Sequence, residues 1–191
     1  GISRISNIKG HASNELTSGL VNTSRIGFRG TEDLGGGLSA IFNLEAGTAL
    51  DTGGAGSSSA FWNRASFLGL RSSNFGTITL GKQRTAIFDV MGNFSGQSYF
   101  GGSAARIEGA PVAGSTLAIQ GFNNRIGTDR PDNSIKYTSS IFSFLKFHGM
   151  WGFGEVKGSN SAARYIDVGA SYKNGPVQLG ASYVNQKCSL P

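Results

Sequence analysis

The fold of this chain is decided by residues 24–45, which read SRIGFRGTEDLGGGLSAIFNLE. In the first part of this stretch Ile26 and Phe28 alternate with Arg25 and Arg29, so apolar and basic side chains point to opposite faces. The glycine triplet near the middle admits positive φ and marks a turn, and the alternation then resumes. The stretch therefore predicts two antiparallel β-strands, each with one apolar and one polar face.

The same alternation recurs along the chain and predicts about eight strands. Their approximate bounds are 24–30, 38–45, 61–70, 77–83, 133–139, 145–153, 164–172 and 176–184. The connections between them are in turn short (31–37, 71–76, 139–144, 173–175) and long (1–22, a surface loop, then 46–60, 84–132 and 154–163). This order is typical of a transmembrane β-barrel, which has short turns on one side and long loops on the other. A soluble β-sandwich gives no reason for such an order.

The composition agrees with strands and turns. The 191 residues include 30 glycines, 13 phenylalanines and 5 tyrosines but only 4 prolines. No run of about 18 apolar residues is present, which excludes a transmembrane helix, whereas a transmembrane strand needs only about 9–11 residues. Cys188 is the only cysteine, so a disulfide within the chain and a cysteine-based zinc site are both excluded.

The charges fall on the polar faces of the predicted strands, and the chain carries a net charge of +6. Charged groups in a closed apolar core are costly unless they are paired, whereas a hydrated lumen removes that cost. The alternative is that they face bulk water on one side of an open sheet. The basic members outnumber the acidic ones, which predicts a lumen that favours anions. The members are Arg25, Arg29, Arg64 and Lys136, against Glu45 and Asp167.

Four motifs resemble the general porins of Gram-negative bacteria, most closely the beta-proteobacterial type. They are residues 24–38, RASFLGL at 64–70, FGTITLGKQ at 75–83 and DNSIKY at 132–137, and together they span most of residues 23–184 in the family's order. The resemblance implies an all-β fold, an antiparallel transmembrane β-barrel of roughly 16 strands in the outer membrane. This chain resembles the second to about the ninth strand. Residues 1–191 are thus expected to be a fragment, about half of a single barrel domain.

The resemblance also implies roles for particular residues. Residues 84–129 match the constriction loop that folds into the pore, and residues 46–60 match the loop that contacts a neighbouring subunit. The basic wall opposite the constriction loop falls on Arg25, Arg64 and Arg130, with Lys82 at a further basic position near the start of that loop. Charges within the loop include Asp89, Arg106 and Glu108. Because this loop is not strongly acidic, unlike that of cation-preferring relatives, it supports a preference for anions.

The expected function is passive diffusion of small hydrophilic or anionic solutes through a water-filled channel. The resemblance implies a homotrimer embedded in outer-membrane lipid, with no cofactor. The alternative is an outer-membrane adhesin or structural surface protein that acts through its extracellular loops. The position of residues 84–129 distinguishes the two, since a loop inside the barrel restricts a pore and a loop outside it forms a recognition surface.

The sequence contains no pattern typical of a metal site, an enzyme or a nucleic-acid-binding protein. His11 and His148 are far apart in sequence and have no acidic residue at ligand spacing, so no metal site is expected. The chain has neither a Gly-x-Ser-x-Gly elbow nor a phosphate loop, and no enzyme is predicted. Nucleic-acid binding is not expected either, because Phe28, Phe42 and Phe67 are predicted on the face opposite the arginines and could not stack bases beside them.

Overall fold

A computed structural model of the protein describes residues 2–8, 11–19, 23–91, 130–140, 142–159 and 162–187. These residues form strands and one short helix. The elements are β1 (Ile2–Ile8), β2 (His11–Leu16), β3 (Arg25–Gly35), β4 (Leu38–Ala49), β5 (Gly54–Ala55), β6 (Ala65–Ser72), β7 (Gly76–Lys82), α1 (Ala86–Met91), β8 (Ser134–Thr138), β9 (Leu145–Gly152), β10 (Tyr165–Asn174) and β11 (Val177–Gln186).

Eight strands, β3, β4 and β6 to β11, form one antiparallel sheet in the order in which they occur along the chain. Each of these strands pairs with the next one, and the two-residue β5 pairs with the end of β4. This up-and-down order is the topology of a membrane barrel wall, in which neighbouring strands are consecutive in sequence. The predicted strands and the antiparallel all-β class are thereby confirmed, with α1 as a short helical addition.

Short turns join the strands at one end of the sheet. Between β3 and β4, Gly35, Gly36 and Gly37 have φ of 84°, 60° and 77°, a region that side chains other than glycine rarely adopt. Gly175, with φ of 55°, closes the turn between β10 and β11. The long connections lie at the opposite end of the sheet, as the sequence predicted.

One face of the sheet is apolar and exposed. Phe28 is 61%, Leu68 64% and Leu179 61% exposed, although each lies within a long strand. A soluble protein would bury such a face, whereas in a membrane barrel it contacts lipid. Further large apolar side chains on this outer face are Ile26, Phe42, Leu70, Ile78, Leu80, Tyr137, Phe147, Trp151, Val168, Val177 and Tyr183.

The opposite, inner face is covered in one place by α1. This helix packs against β9, β10 and β11, where Ala86 joins Met150 and Tyr165 in a small buried cluster, with Val184 beside it. The chain therefore turns inward after β7 and crosses to the far strands of the sheet. No helix in the described parts of the chain is long and apolar enough to cross a membrane.

Two predicted loops contain strands instead. Residues 1–22 were expected to be a surface loop, but β1 and β2 pair there as a separate antiparallel two-stranded sheet. The backbone hydrogen bonds of an antiparallel pair do not require one apolar face. Residues 1–22 show no regular alternation of apolar and polar residues, so the sequence pattern did not predict these two strands. The loop assigned to residues 46–60 begins too early, since β4 continues to Ala49 and β5 follows. Residues 92–129 of the predicted constriction loop lie outside the described residues.

Candidate pore-lining site

The strand register decides which side chains line the inner face. Arg25, Gly27 and Arg29 of β3 pair with Gly47, Glu45 and Asn43 of β4, and the last two of these pair with Ala65 and Phe67 of β6. Directly paired residues share a face, so these side chains belong to one surface. This inner face is the one that the sequence predicted to be polar.

Two arginines share one carboxylate on this surface. The Arg64 Nε donates a hydrogen bond to Glu45 Oε1 over 2.6 Å, and Arg25 Nη1 lies 3.8 Å from the same oxygen. Arg64 precedes β6, so strand alternation does not dictate its direction, and only 9% of it is exposed. The structure thus brings together Arg25, Arg64 and Glu45, which the sequence placed on the polar faces.

A third arginine, Arg84, interacts electrostatically with Arg64 and Arg25; the sequence identified it as a charge of the predicted constriction loop but not as part of the basic wall. It lies between β7 and α1, and its guanidinium carbon sits 3.8 Å from the centre of the Phe88 ring. Burial, followed by the positive charges of Arg64 and Arg25, lowers the pKa of Arg84, but an arginine remains charged in proteins. We call Arg25, Arg64 and Arg84 the arginine cluster. Glu45 is in contact with Arg25 and Arg64, and the negative charges of both Glu45 and Asp89 act on Arg84.

Arg84 could have been identified from its position two residues after the end of β7, where the chain leaves the sheet. Gln83, immediately before it, is almost completely buried. Its side-chain amide donates to the Thr79 carbonyl oxygen over 3.1 Å, and its side-chain oxygen accepts from the Thr79 hydroxyl. These bonds hold the point at which the chain turns inward, and so position Arg84.

The inward segment is also held at α1. Asp167 on β10 is fully buried, and its Oδ2 accepts hydrogen bonds from the Ile87 backbone N–H over 2.6 Å and the Tyr165 hydroxyl over 3.3 Å. On β8, Lys136 Nζ donates to Asp89 Oδ2 over 2.7 Å and to the Arg84 carbonyl oxygen over 3.1 Å. Lys136 and Asp167 do lie on the inner face, but both are used to attach residues 84–91 to the wall.

Lys82 does not join the arginine cluster. It pairs with Ser66 at the end of β7, and the register places it on the face of Leu80 and Ile78. Its ammonium group forms an ion pair with Asp132 and lies 3.5 Å from the Arg130 carbonyl oxygen. Strand alternation therefore argues against its predicted place in the basic wall.

The other predicted site residues differ in what the structure says of them. Arg29 lies on the inner face, opposite Asn43. Arg130 is half-buried just before β8, and its place in the basic wall stays a prediction. Arg106 and Glu108 lie outside the described residues. Among the residues that the structure does describe, no group of three or more His, Cys, Asp or Glu side chains could hold a metal ion.

The predicted face of Phe67 was wrong. Phe67 pairs with Asn43 and so lies on the inner face with Arg29, whereas Phe28 and Phe42 are on the outer face as expected. Apolar residues stand at both alternate positions of β6, and Arg64 was counted as part of the strand. For this reason the alternation in the sequence did not identify the inner face of β6.

The family-model comparison matches residues 1–189 to the Gram-negative porins. An outer membrane porin of Delftia acidovorans, called porin protein 32, is 31% identical over 91% of this chain and 47% of its own length. An outer membrane porin of Bordetella pertussis is 28% identical over 91% of this chain and 44% of its own. The major outer membrane protein P.IB of Neisseria gonorrhoeae is 30% identical over 79% and 38%, respectively.

Solved structures agree with these relatives. An anion-selective porin from Comamonas acidovorans superposes with a TM-score of 0.69 at 27% identity, covering 96% of this chain and 54% of that one. OmpF from Salmonella typhi, solved in complex with daunomycin, has a TM-score of 0.60 at 18% identity and shows the fold alone. The chain belongs to the family of Gram-negative porins, and its relatives include those of beta-proteobacteria.

This membership places the chain in the bacterial outer membrane and confirms the predicted family. The relatives are porins rather than enzymes, as predicted, and their names give the adhesin alternative no support. The chain spans about half the length of the relatives that it matches.

Proposed function

We propose that the complete protein is a water-filled channel through which small hydrophilic solutes diffuse across the outer membrane, with a preference for anions. The observation that carries this proposal is the arginine cluster, where the three guanidinium groups of Arg25, Arg64 and Arg84 lie near the carboxylate of Glu45. The anion-selective porin among the solved structures, 27% identical, supports it.

The mechanism is electrostatic and needs no chemical step. The three guanidinium groups on one side of the lumen create a positive potential, which lowers the barrier for anions and raises it for cations. Arg84 is half-buried against Phe88, and an excluded-water environment strengthens its field relative to bulk water. A solute exchanges part of its hydration shell for contacts with these guanidinium groups. It then leaves the channel chemically unchanged.

The predicted roles of two loops fit this proposal. Residues 84–91 leave β7 and reach the inner face of β9, β10 and β11, as the start of a constriction loop inside the lumen would. We propose that residues 84–129 narrow the pore in this way. Residues 46–60 are proposed to contact a neighbouring subunit of a homotrimer, and the 73% exposed Leu50 offers an apolar contact there.

The test is the reversal potential of the full-length protein in a planar lipid bilayer under a potassium chloride gradient. We expect the parent protein to form stable channels whose reversal potential favours chloride. In the Arg25→Gln/Arg64→Gln/Arg84→Gln variant the preference for chloride should fall several-fold, since three positive charges are removed from one side of the lumen.

Two further variants sharpen the experiment. Lys157→Gln removes one exposed positive charge outside the long strands and should leave the reversal potential unchanged. A triple variant with Arg130→Gln in place of Arg84→Gln compares the third arginine indicated by the structure with the one implied by the family resemblance. A parent channel that favours potassium, or a triple variant with unchanged selectivity, would overturn the proposed preference for anions.

A further inference from the structure

We propose that the inner wall carries a second recognition site, separate from the arginine cluster, for small anions with an aromatic body, such as arene carboxylates. This inference rests on the proposed channel function and adds a class of solute to it. The site is a depression of about 370 Å³ over β3, β4 and β6. The side chains that line it from the inner face are Arg29, Thr31, Ile41, Asn43, Phe67 and Arg71.

The register builds this depression from three adjacent rows of the sheet. Arg29, Asn43 and Phe67 are paired across the first row, and Thr31, Ile41 and Gly69 across the second. Arg71 lies in the third row, opposite Ser39. Paired strands are about 4.8 Å apart, and rows on one face are two residues, or about 6.6 Å, apart, so three strands and three rows cover an area large enough for a benzoate-sized solute.

Gly69 stands between Phe67 and Arg71 on the same face of β6, where it is buried and does not itself line the depression. A Cβ at Gly69 would lie 2.2 Å from the Ile78 carbonyl oxygen and 2.7 Å from Thr79 Cγ2, so no larger residue fits there without a shift. Phe67 and Arg71 therefore have no side chain between them on this face of β6, and both line the depression.

The apolar part of the depression consists of Phe67 and Ile41. Elsewhere on the inner face, the apolar side chains Met150, Tyr165 and Val184 are covered by α1, which packs on β9, β10 and β11. Phe67 is on β6, away from those strands, and remains half-exposed towards the depression. Covering it with an aromatic ring removes apolar surface from water, which is favourable.

The charged part consists of Arg29 and Arg71, both exposed. In the described portion of the chain neither forms an ion pair, in contrast to Arg25 and Arg64, which share Glu45. Asp33 lies on the same face, but its Oδ1 accepts a hydrogen bond from the Gly35 N–H in the turn. A guanidinium group matches a carboxylate in a bidentate geometry, so an arene carboxylate would satisfy both parts of the depression.

The test compares benzoate with acetate as blockers of the chloride current through the full-length channel. We expect benzoate to reduce the single-channel current at concentrations several-fold lower than acetate does. Phe67→Ser should remove this difference, and Arg71→Gln should weaken block by both anions. Phe67→Leu keeps an apolar side chain and should retain part of the preference, which distinguishes a lost contact from a disturbed fold. Lys173→Gln, on the inner face of β10, is the matched charge control and should block as the parent does.

Equal block by benzoate and acetate in the parent would overturn the site, and so would benzoate block that survives both Phe67→Ser and Arg71→Gln. The proposed function is tested separately by the potassium chloride reversal potential, which Phe67→Ser should leave unchanged. Binding of benzoate to the detergent-solubilised protein, followed by ligand NMR, needs no channel at all. Binding that depends on Phe67 in a protein without channel activity would keep the site and discard the proposed function.

Discussion

The two sides of the inner surface use their charges differently. On β3, β4 and β6 the arginines outnumber the carboxylates, and Arg25 and Arg64 share a single partner in Glu45. On β8 and β10 the buried or half-buried charges are attached to the inward segment, since Lys136 binds Asp89 and Asp167 accepts the Ile87 N–H. We propose that the arginines of the first side act on a solute, whereas the charges of the second side hold the inward segment in place.

This difference shows that a charge on a lumen-facing position has two possible roles. A matched charge is neutralised locally and contributes to stability, because removing one partner leaves the other buried without compensation. An unmatched charge in contact with water projects its field into the lumen. The sequence placed Lys136, Asp167, Arg25 and Arg64 in one class, whereas in the structure Lys136 and Asp167 bind the inward segment and Arg25 and Arg64 contact Glu45.

The largest expected effect is on the structural side, with Asp167→Ala. This substitution removes the acceptor of the Ile87 N–H and of the Tyr165 hydroxyl in a fully buried place, so we expect a loss of about 1–3 kcal/mol in the free energy of unfolding. Urea unfolding of the full-length protein in lipid vesicles measures it. Asp167→Asn keeps an acceptor oxygen and should lose less. If the Ala variant and the parent had the same free energy of unfolding, Asp167 would not stabilise the attachment of the inward segment to the sheet.

A smaller effect is expected on the other side, with Glu45→Gln. This change removes the negative charge of the carboxylate that contacts Arg25 and Arg64, so the local positive charge increases. At a distance of several ångströms in water, one charge contributes on the order of 0.5 kcal/mol, and we expect the preference for chloride to rise roughly twofold. Reversal potentials of the variant and parent give the comparison. A decrease in chloride preference would mean that Glu45 acts by positioning the arginines rather than by neutralising them.

The smallest effect is expected from Lys82→Gln. Lys82 lies on the outer face by register and pairs with Asp132, which is exposed, so it should contribute little to the potential in the lumen. We expect the Lys82 variant to have an unchanged reversal potential. Arg84→Gln, two residues further along the chain, should lower the preference for chloride. If the two single variants shifted selectivity equally, Lys82 would belong to the basic wall as the family resemblance implied.

Much of the sheet could be predicted because alternation along a strand is tied directly to the pleat of the backbone. Ile26 and Phe28 oppose Arg25 and Arg29 in the structure as they do in the sequence. The prediction failed where this link is broken. On β6 both faces carry apolar residues, so the direction of Phe67 could not be deduced, and the sequence of β1 and β2 has no regular alternation of apolar and polar residues.

The candidate site was predictable only in part. Arg25, Arg64 and Glu45 were identified as charges on polar faces, but their common contact depends on where β6 begins. Arg84 was missed because its position depends on bonds between Gln83 and Thr79 and on the packing of Phe88, which involve residues four apart on a turning chain. Such contacts produce no regular alternation of residue types from which the position of Arg84 could be predicted.

The sequence by itself determined the antiparallel strands, their turns and the separation of apolar from charged faces, because these follow from local backbone geometry and side-chain alternation. The tertiary structure decided which charges are matched and which are free to act on a solute. That choice depends on distances between residues far apart in the chain, such as the bond between Asp167 and Ile87, 80 residues apart. Coulomb and hydrogen-bond energies depend on those distances, and only the folded sheet sets them.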